Sequence, residues 1–415
     1  MGLDGARSRR LVRRQLVGRA FFFVGTAGRH KRTVRHCFAT YHGEGTSEVV
    51  GVAEEGNKRK LLGIATTSLP SVRGGIRRPA PHYVRIARAA ARMGMDVCLF
   101  DPHHVNWQTG SVSGYMPERP QVPEGNWVKR TMRLPDVIYE NVYVHLAIRG
   151  YSATLREQAK RHQIPLFNPM LPGKWKMISV LRQAGMSDAT PETERIASSE
   201  QVIHRVNEWQ TAYVKPIGGY GGMNVYRIER LHADRYRVSA DRRGSHGGKW
   251  RKVMSDAQLR TWLRPRVGGY LLQRGLQLLT VGGRKVDFRV VLHRDEHGEW
   301  QLVGMVPKVA APDGVVTNII AGGERVPMSR LVQMAEADGK TIPLEALETR
   351  ARAIARALSR RYPTTALVGF DMAVEEDGSV KMIEMNPKPA RSLLDGPMLA
   401  KLADYQAGFA KFLAK

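Results

Sequence analysis

The stretch ALVGFDMAVEEDGSVKMIEMN, Ala366 to Asn386, carries a suggestive set of oxygen atoms. Its Asp377-Gly378 dipeptide is a favoured two-residue hairpin turn. With that turn Asp371 faces Glu384, and Asn386 shares a sheet face with Glu384, because side chains alternate with period two. Two carboxylates and a carboxamide oxygen are ligands suited to Mg²⁺. Without a cation the facing carboxylates would repel each other. Ordinary hairpin polarity facing water is the plainer alternative, set against the apolar neighbours Ile383 and Met385. A bulge at the turn would shift the pairing by one residue.

A second hairpin-like stretch, VDFRVVLHRDEHGEWQLVGMVPKVA, Val286 to Ala310, supplies positive charge. Asp287 and Arg289 share one strand face, while Val286, Phe288 and Val290 alternate with them as the apolar face. A turn at Asp295 to Gly298 brings Lys308 back to the charged face. Arginine and lysine so placed could neutralise a transferring phosphate and a developing oxyanion. A cross-strand Asp–Arg salt bridge, worth little, stays open as the alternative. Upstream, YLLQRGLQL ends an apolar strand at Gln273, Arg274 and Gly275, whose backbone could meet a base edge with Leu276 on the ring. Downstream, VTNIIAGGERVP places Asn318 beside a glycine pair.

Earlier still, VKPIGGYGGMNVY sets Lys215 before Gly218, Gly219, Tyr220, Gly221 and Gly222. Glycine lets backbone N–H groups approach an anion with no side chain between. The P-loop places its lysine after the glycines and opens a helix, and the dinucleotide fingerprint also needs a helix. Here a β-branched, aromatic run follows, so the glycines join two strands, either as a lid over phosphates or as a plain turn.

The order of these strings is more specific than any one of them. GKWK with Lys174, then PET, VKPIGGYGG, QRGLQL, DFR, TNIIAGG, and GFD with IEMNPKP resembles the ATP-grasp superfamily over roughly residues 165–410. The strings FNP…KW…PET, DFR, TNxxxGG and ExNxKP look most like the endospore coat-associated YheC/YheD family, and glutathione synthetases share much of the order. The resemblance implies an α+β / α/β architecture: an ATP-grasp fold with an N-terminal pre-ATP-grasp α/β domain. It implies that Lys174 and Lys215 hold the ATP phosphates while Gly218 to Gly222 close over them. Gln273, Arg274, Gly275 and Leu276 would form the adenine hinge, and Asp287 would approach the ribose. Arg289, Lys308 and Asn318 would face the γ-phosphate and substrate, and Asp371, Glu384 and Asn386 would bind two Mg²⁺ ions, with Mn²⁺ as a substitute. The implied activity is an ADP-forming carboxylate–amine or carboxylate–nucleophile ligase working through an acyl phosphate. The implied partners are ATP, a small carboxylate with an amine or an acidic polymer, and spore coat proteins. The rivals are a nucleotide-binding module without turnover and a structural coat component. Two positions depart from the family pattern: Lys308 stands where arginine is usual, and Pro387 where serine is common. Lysine keeps the charge but loses the bidentate fork.

The rest of the chain must position these residues. From Leu61, strand-like LLGIATTSLP, GMDVCLFDP and PDVIYENV alternate with helical stretches, notably His82 to Met93 and Tyr151 to Gln163. This indicates an α/β domain over roughly 58–165. The domain that follows, about 166–410, divides into a central lid near 195–275 and a C-terminal mixed sheet near 276–410. Residues 1–57 are arginine-dense, resemble a secretory signal only loosely, and read as a flexible basic arm or an extension from an upstream start codon. At 415 residues, 42% hydrophobic and 25% charged, the composition is that of a soluble globular protein with no membrane span. Cys37 and Cys98 are too few for a disulfide framework, so a reducing, cytoplasmic compartment fits, and the resemblance adds a spore or spore coat as the implied setting. The net charge of +27 favours anionic partners in general. No recognition helix, zinc finger or RNP string accompanies it, which argues against specific nucleic-acid binding.

Overall fold

Three sheets carry the architecture. The computed structural model describes residues 59–218, 224–241, 249–312, 314–317, 319 and 322–415. In the first sheet, Lys60–Ala65 lies between Met95–Phe100 and Val137–Glu140, all parallel, with Leu166–Phe167 beyond. Buried on both faces, the first strand is a continuous apolar run, as parallel strands are. Leu62 and Ile64 pack to one side, and Leu61 and Ala65 to the other with Cys98. An antiparallel pair, Ser111–Pro117 with Trp127–Arg133, extends this sheet.

Helix Pro81–Arg92 begins with proline at its first turn and buries Tyr83, Ile86, Ala87, Ala89 and Ala90 against the first sheet. The last helix, Gly396–Leu413, is capped by Asp395, whose carboxylate accepts from Met398 N at 2.9 Å. It sends Ala403, Ala407, Phe409 and Ala410 into that same core. The chain's end therefore braces its first sheet.

The second sheet is antiparallel, in the order Thr193–Arg195, Tyr270–Arg274, Thr211–Pro216, Tyr226–His232, Arg235–Asp241 and Lys249–Ser255. Helices Ser199–Trp209 and Asp256–Leu263 cover its apolar face; the second starts from a capping box of Ser255 and Gln258. The third sheet runs Glu324–Arg325, Trp300–Val309, Arg284–Arg294, Leu367–Val374, Val380–Asn386. Phe288, Val290, Phe370 and Met372 face the core shared with helices Lys174–Gln183 and Leu344–Arg361. Alternation leaves the charged residues on the other face.

The last hairpin has the expected partners by an unexpected route. Asp371 pairs with Glu384, yet the turn holds one residue more than a two-residue loop: Glu375 N donates to Ser379 O, and Gly378, at φ +82°, donates to Glu375 O. A register shift between Asp371 and Met372 takes up the extra residue, so the facing pair is restored. Cys98 is fully buried, and burial pushes its thiol up to about 12. Among the described residues no helix is long and apolar enough to cross a membrane.

Candidate active site

The charged face of the third sheet is built by register. Asp287 lies opposite Lys308, Arg289 opposite Asp371, Asp371 opposite Glu384, and Gly369 opposite Asn386. Arg289 grips Asp371 with a fork, Nε to Oδ1 at 2.8 Å and Nη2 to Oδ2 at 3.0 Å. Lys308 Nζ stands 2.9 Å from both Asp287 Oδ1 and Asp371 Oδ1. Asn386 Nδ2 is 3.5 Å from Asp371 Oδ2. Arg289 thus pairs across strands with Asp371, and the Asp–Arg bridge open at the sequence level is not one with Asp287.

The two aspartates titrate in opposite directions. Burial raises the Asp287 carboxyl and outweighs Lys308, with Asp371 adding repulsion. Burial would raise Asp371 as well, but Lys308 and Arg289 outweigh it and hold the carboxyl down to about 2. Lys308 is raised: burial works against its charge, and the two aspartates win.

Lys174 opens helix Lys174–Gln183 and sits 3.2 Å from Glu384 Oε1, whereas Lys176 on the same helix is exposed. Lys215 extends from Thr211–Pro216 and donates to Gln273 Oε1, while Gln273 Nε2 donates to Thr193 Oγ1 at 3.0 Å. Burial pushes the Lys215 ammonium down to about 8, with Glu384 opposing and Lys174 assisting. The amides of Arg274 and Gly275 are already spent on the carbonyls of Glu192 and Thr211, both at 2.8 Å. Those two N–H groups are therefore engaged within the second sheet.

These groups surround a cavity of about 110 Å³ between the second and third sheets. Of the residues singled out in the sequence, Lys215, Gln273, Arg274, Leu276, Asp287, Lys308, Asp371 and Glu384 line it. Lys174 connects through Glu384, and Arg289 and Asn386 connect through Asp371. Gly275 packs on Thr211 outside the lining, and Gly218 is exposed. Gly219, Tyr220, Gly221, Gly222 and Asn318 lie outside the described residues.

Three further residues escaped the sequence reading. Lys285 shares the face of Asp287 and Arg289, lines the cavity, and is pushed down to about 8 by burial and then by Arg227. The two-residue spacing could have revealed it. The Thr317 hydroxyl donates to Asp287 Oδ2. Asp241 Oδ2, from the second sheet, accepts from Val315 N at 2.9 Å and Val316 N at 3.0 Å. No local signal marks Asp241, because its partners are distant in the chain.

The donor set fits a hard divalent cation: Asp371, Glu384 and Asn386 offer oxygen atoms on one face. Among the described residues no group of three or more His, Cys, Asp or Glu could hold a metal, so the set depends on the asparagine.

Residues 163–413, more than half of the chain, match the family described as YheC/D like ATP-grasp. The chain belongs to the YheC/D-like ATP-grasp family. It has the ATP-grasp fold, with mixed α/β structure in several sheets. This YheC/D-like protein is 24% identical over 327 residues to the endospore coat-associated protein YheD of Bacillus subtilis (strain 168), covering 72% of this chain and 66% of YheD. The match thus spans slightly less than two thirds of YheD. Endospore coat-associated protein YheC of the same organism is 21% identical over 319 residues, covering 75% of this chain and 85% of that one. A structure of the ATP-grasp ligase PsnB, complexed with a precursor variant, Mg and ADP, aligns with a TM-score of 0.44 and 15% identity. That alignment covers 84% of this chain and 99% of PsnB.

Proposed function

We propose that this YheC/D-like protein is an ATP- and Mg-dependent ligase that joins a carboxylate to an amine or another nucleophile and releases ADP. The observation that carries the reading is the row of Asp287, Arg289, Lys308, Asp371 and Glu384 on one sheet face beside a cavity that Lys215 also lines. Lys174, Lys215 and the loop Gly218 to Gly222 bind the phosphates, with Gln273 and Leu276 on the base side and Asp287 near the ribose. Asp371, Glu384 and Asn386 would hold Mg²⁺, which when bound disperses phosphate charge that would otherwise repel an attacking anion. The substrate carboxylate attacks the γ-phosphorus, an O–P bond forms, and the bond to ADP breaks. The nucleophile then adds to the acyl phosphate carbon, phosphate leaves, and the amine gives up a proton. Arg289, Lys308 and Asn318 stabilise charge at the transferring group. We assign residues 58–165 to a pre-ATP-grasp domain, about 195–275 to the lid, and a spore or spore-coat setting to the protein by analogy with its relatives.

A second reading, nucleotide binding without turnover in a coat assembly, draws on one observation: Arg289 and Lys308 already neutralise carboxylates. ADP release from Mg·ATP, measured across pools of amino acids and small carboxylates, separates the two. The ligase reading expects substrate-stimulated release. It also expects Arg289→Lys to bind ATP nearly normally while losing on the order of a hundredfold in turnover, since its fork acts in the transition state. Tight Mg·ATP binding with no release under any pool would sink it.

A further inference from the structure

The first sheet has a feature that the proposed ATP site does not use. Its first strand, Lys60–Ala65, is followed by Met95–Phe100 on one side and later by Val137–Glu140 on the other. Such a reversal of strand order opens a crevice at the carboxyl ends of the strands. A cavity of about 240 Å³ occupies that place. Thr66 and Ser68 enter it from beyond the first strand, Asn141 from beyond Val137–Glu140, and Lys388 to Arg391 close it from the third sheet's final loop.

The polar groups of this cavity are one-sided, since among the described residues no Asp or Glu lines it. Lys388 Nζ donates to the carbonyls of Glu140 at 2.7 Å and Asn168 at 3.0 Å, which leaves a third N–H. The Arg391 guanidinium makes no hydrogen bond or ion pair among the described residues. Asn168 is only 2% exposed; its Oδ1 accepts from Leu367 N at 3.1 Å, and its Nδ2 has no partner. His82 Nε2 is also unpartnered. Burial, then Arg391 and Arg85, lowers that imidazole to about 3, so it adds no charge. The Glu140 carboxylate, whose backbone carbonyl Lys388 grips, is engaged elsewhere, 3.2 Å from Arg156 and 2.8 Å from Ser152 Oγ. Helix Pro81–Arg92 adds its positive end there without a side-chain cap.

One residue separates this cavity from the charged face. A Cβ on Gly369 would lie 2.7 Å from Pro389, which lines the cavity, and 3.2 Å from Cδ of Arg289. Along the chain, Lys388 follows the metal-site candidate Asn386 by two residues, a reach of at most about 7 Å.

We propose that the crevice binds the carboxylate substrate by a second anionic group, with Arg391 and Lys388 as charge partners and Asn168 as a hydrogen-bond donor. The substrate class is a small dicarboxylate without a free amino group, because an ammonium would find no acid in the lining. The reactive carboxylate then reaches past Pro389 toward Arg289. This last step rests on the ligase reading; the anion site does not.

Calorimetry on the full chain with succinate, malate and glutarate tests the site, with butyrate, glutamate and inorganic phosphate as comparators. Each is titrated with and without a non-hydrolysable Mg·ATP analogue. The dicarboxylates should bind at least about tenfold more tightly than butyrate or glutamate. Arg391→Gln, at a half-exposed position, should weaken them by about tenfold and leave the affinity for the nucleotide analogue unchanged. Phosphate binding as tightly as the dicarboxylates would overturn the proposal, as would equal binding of butyrate or insensitivity to Arg391→Gln. Dicarboxylates that bind through Arg391, with no carboxylate or amine pool stimulating ADP release from Mg·ATP, would leave the site standing and remove the ligase reading.

Discussion

Lys308 has one charge and two buried carboxylates to serve. Where the resemblance implied an arginine, Arg289 already supplies the fork on Asp371. A point charge can stand 2.9 Å from an oxygen of each aspartate, a bridging role that does not need a planar fork. Lys308→Met would leave Asp287 buried with, among the described residues, only the Thr317 hydroxyl donating to it. Removing one member of a buried charge cluster costs about 3–5 kcal/mol. Urea unfolding should therefore show Lys308→Met destabilised by roughly that amount. Lys308→Met with Asp287→Asn should recover most of the loss, because the uncompensated charge is gone. A single variant as stable as the parent would show that the cluster does not depend on this lysine.

At the scale of elements, close approach governs the strand Tyr270–Arg274 and its exit. A Cβ on Gly275 would lie 2.6 Å from Thr211 Cγ2, and the Gly275 amide donates to Thr211 O. Gly275→Ala should therefore cost about 1–3 kcal/mol by overpacking. Thr211→Ala in the same chain removes only the Cγ2 contact and leaves Cβ at 2.8 Å and the carbonyl at 3.0 Å, so it should return only a minor part of that stability in a thermal melt; full recovery would mean that the overpacking is on Cγ2 alone. The sequence pointed to this glycine for nucleotide contact; its close fit to a neighbouring strand is a separate constraint on the same position. Legibility followed the range of the interaction. The charged face of Arg284–Arg294 was readable because period two is local. The pairing of Asp371 with Glu384 was inferred from a two-residue turn, and it holds only because a longer turn and a bulge compensate. Neither deviation has a residue signature here beyond Gly378. The pair Ser111–Pro117 and Trp127–Arg133 was not anticipated, for Trp127–Arg133 is largely polar and exposed. The packing of Gly396–Leu413 on the first sheet joins opposite ends of the chain, which no local pattern encodes.

For the whole molecule, the second and third sheets enclose a cleft whose cations come from separate elements. Lys174 arrives on a helix, Lys215 from the second sheet and Lys285 from the third. Gathering like charges in a partly desolvated space costs free energy, and Lys215 shows it, with its ammonium pushed down to about 8 chiefly by burial. The sign of the linkage follows. Between about pH 8 and the ordinary lysine value of about 10.4, the folded protein holds fewer protons on Lys215 than the unfolded chain. The charge-burial cost is thus fully present below pH 8 and is relieved as pH rises through that window. A polyphosphate entering the cleft restores a counter-charge and raises the same pKa. Binding should therefore take up protons, most strongly near about pH 9 and negligibly near pH 7, where Lys215 is already charged. Titrating Mg·ATP at pH 9 in buffers of different ionisation enthalpy measures that uptake. Lys215→Met should reduce it by up to about one proton and weaken binding by about 1.5–3 kcal/mol, the scale of a charge-assisted hydrogen bond. Lys285, pushed down to about 8 in the same cavity, should account for proton uptake that survives in Lys215→Met. Uptake unchanged in Lys215→Met and abolished in Lys285→Met would move the phosphate site away from the glycine loop, toward the start of strand Arg284–Arg294.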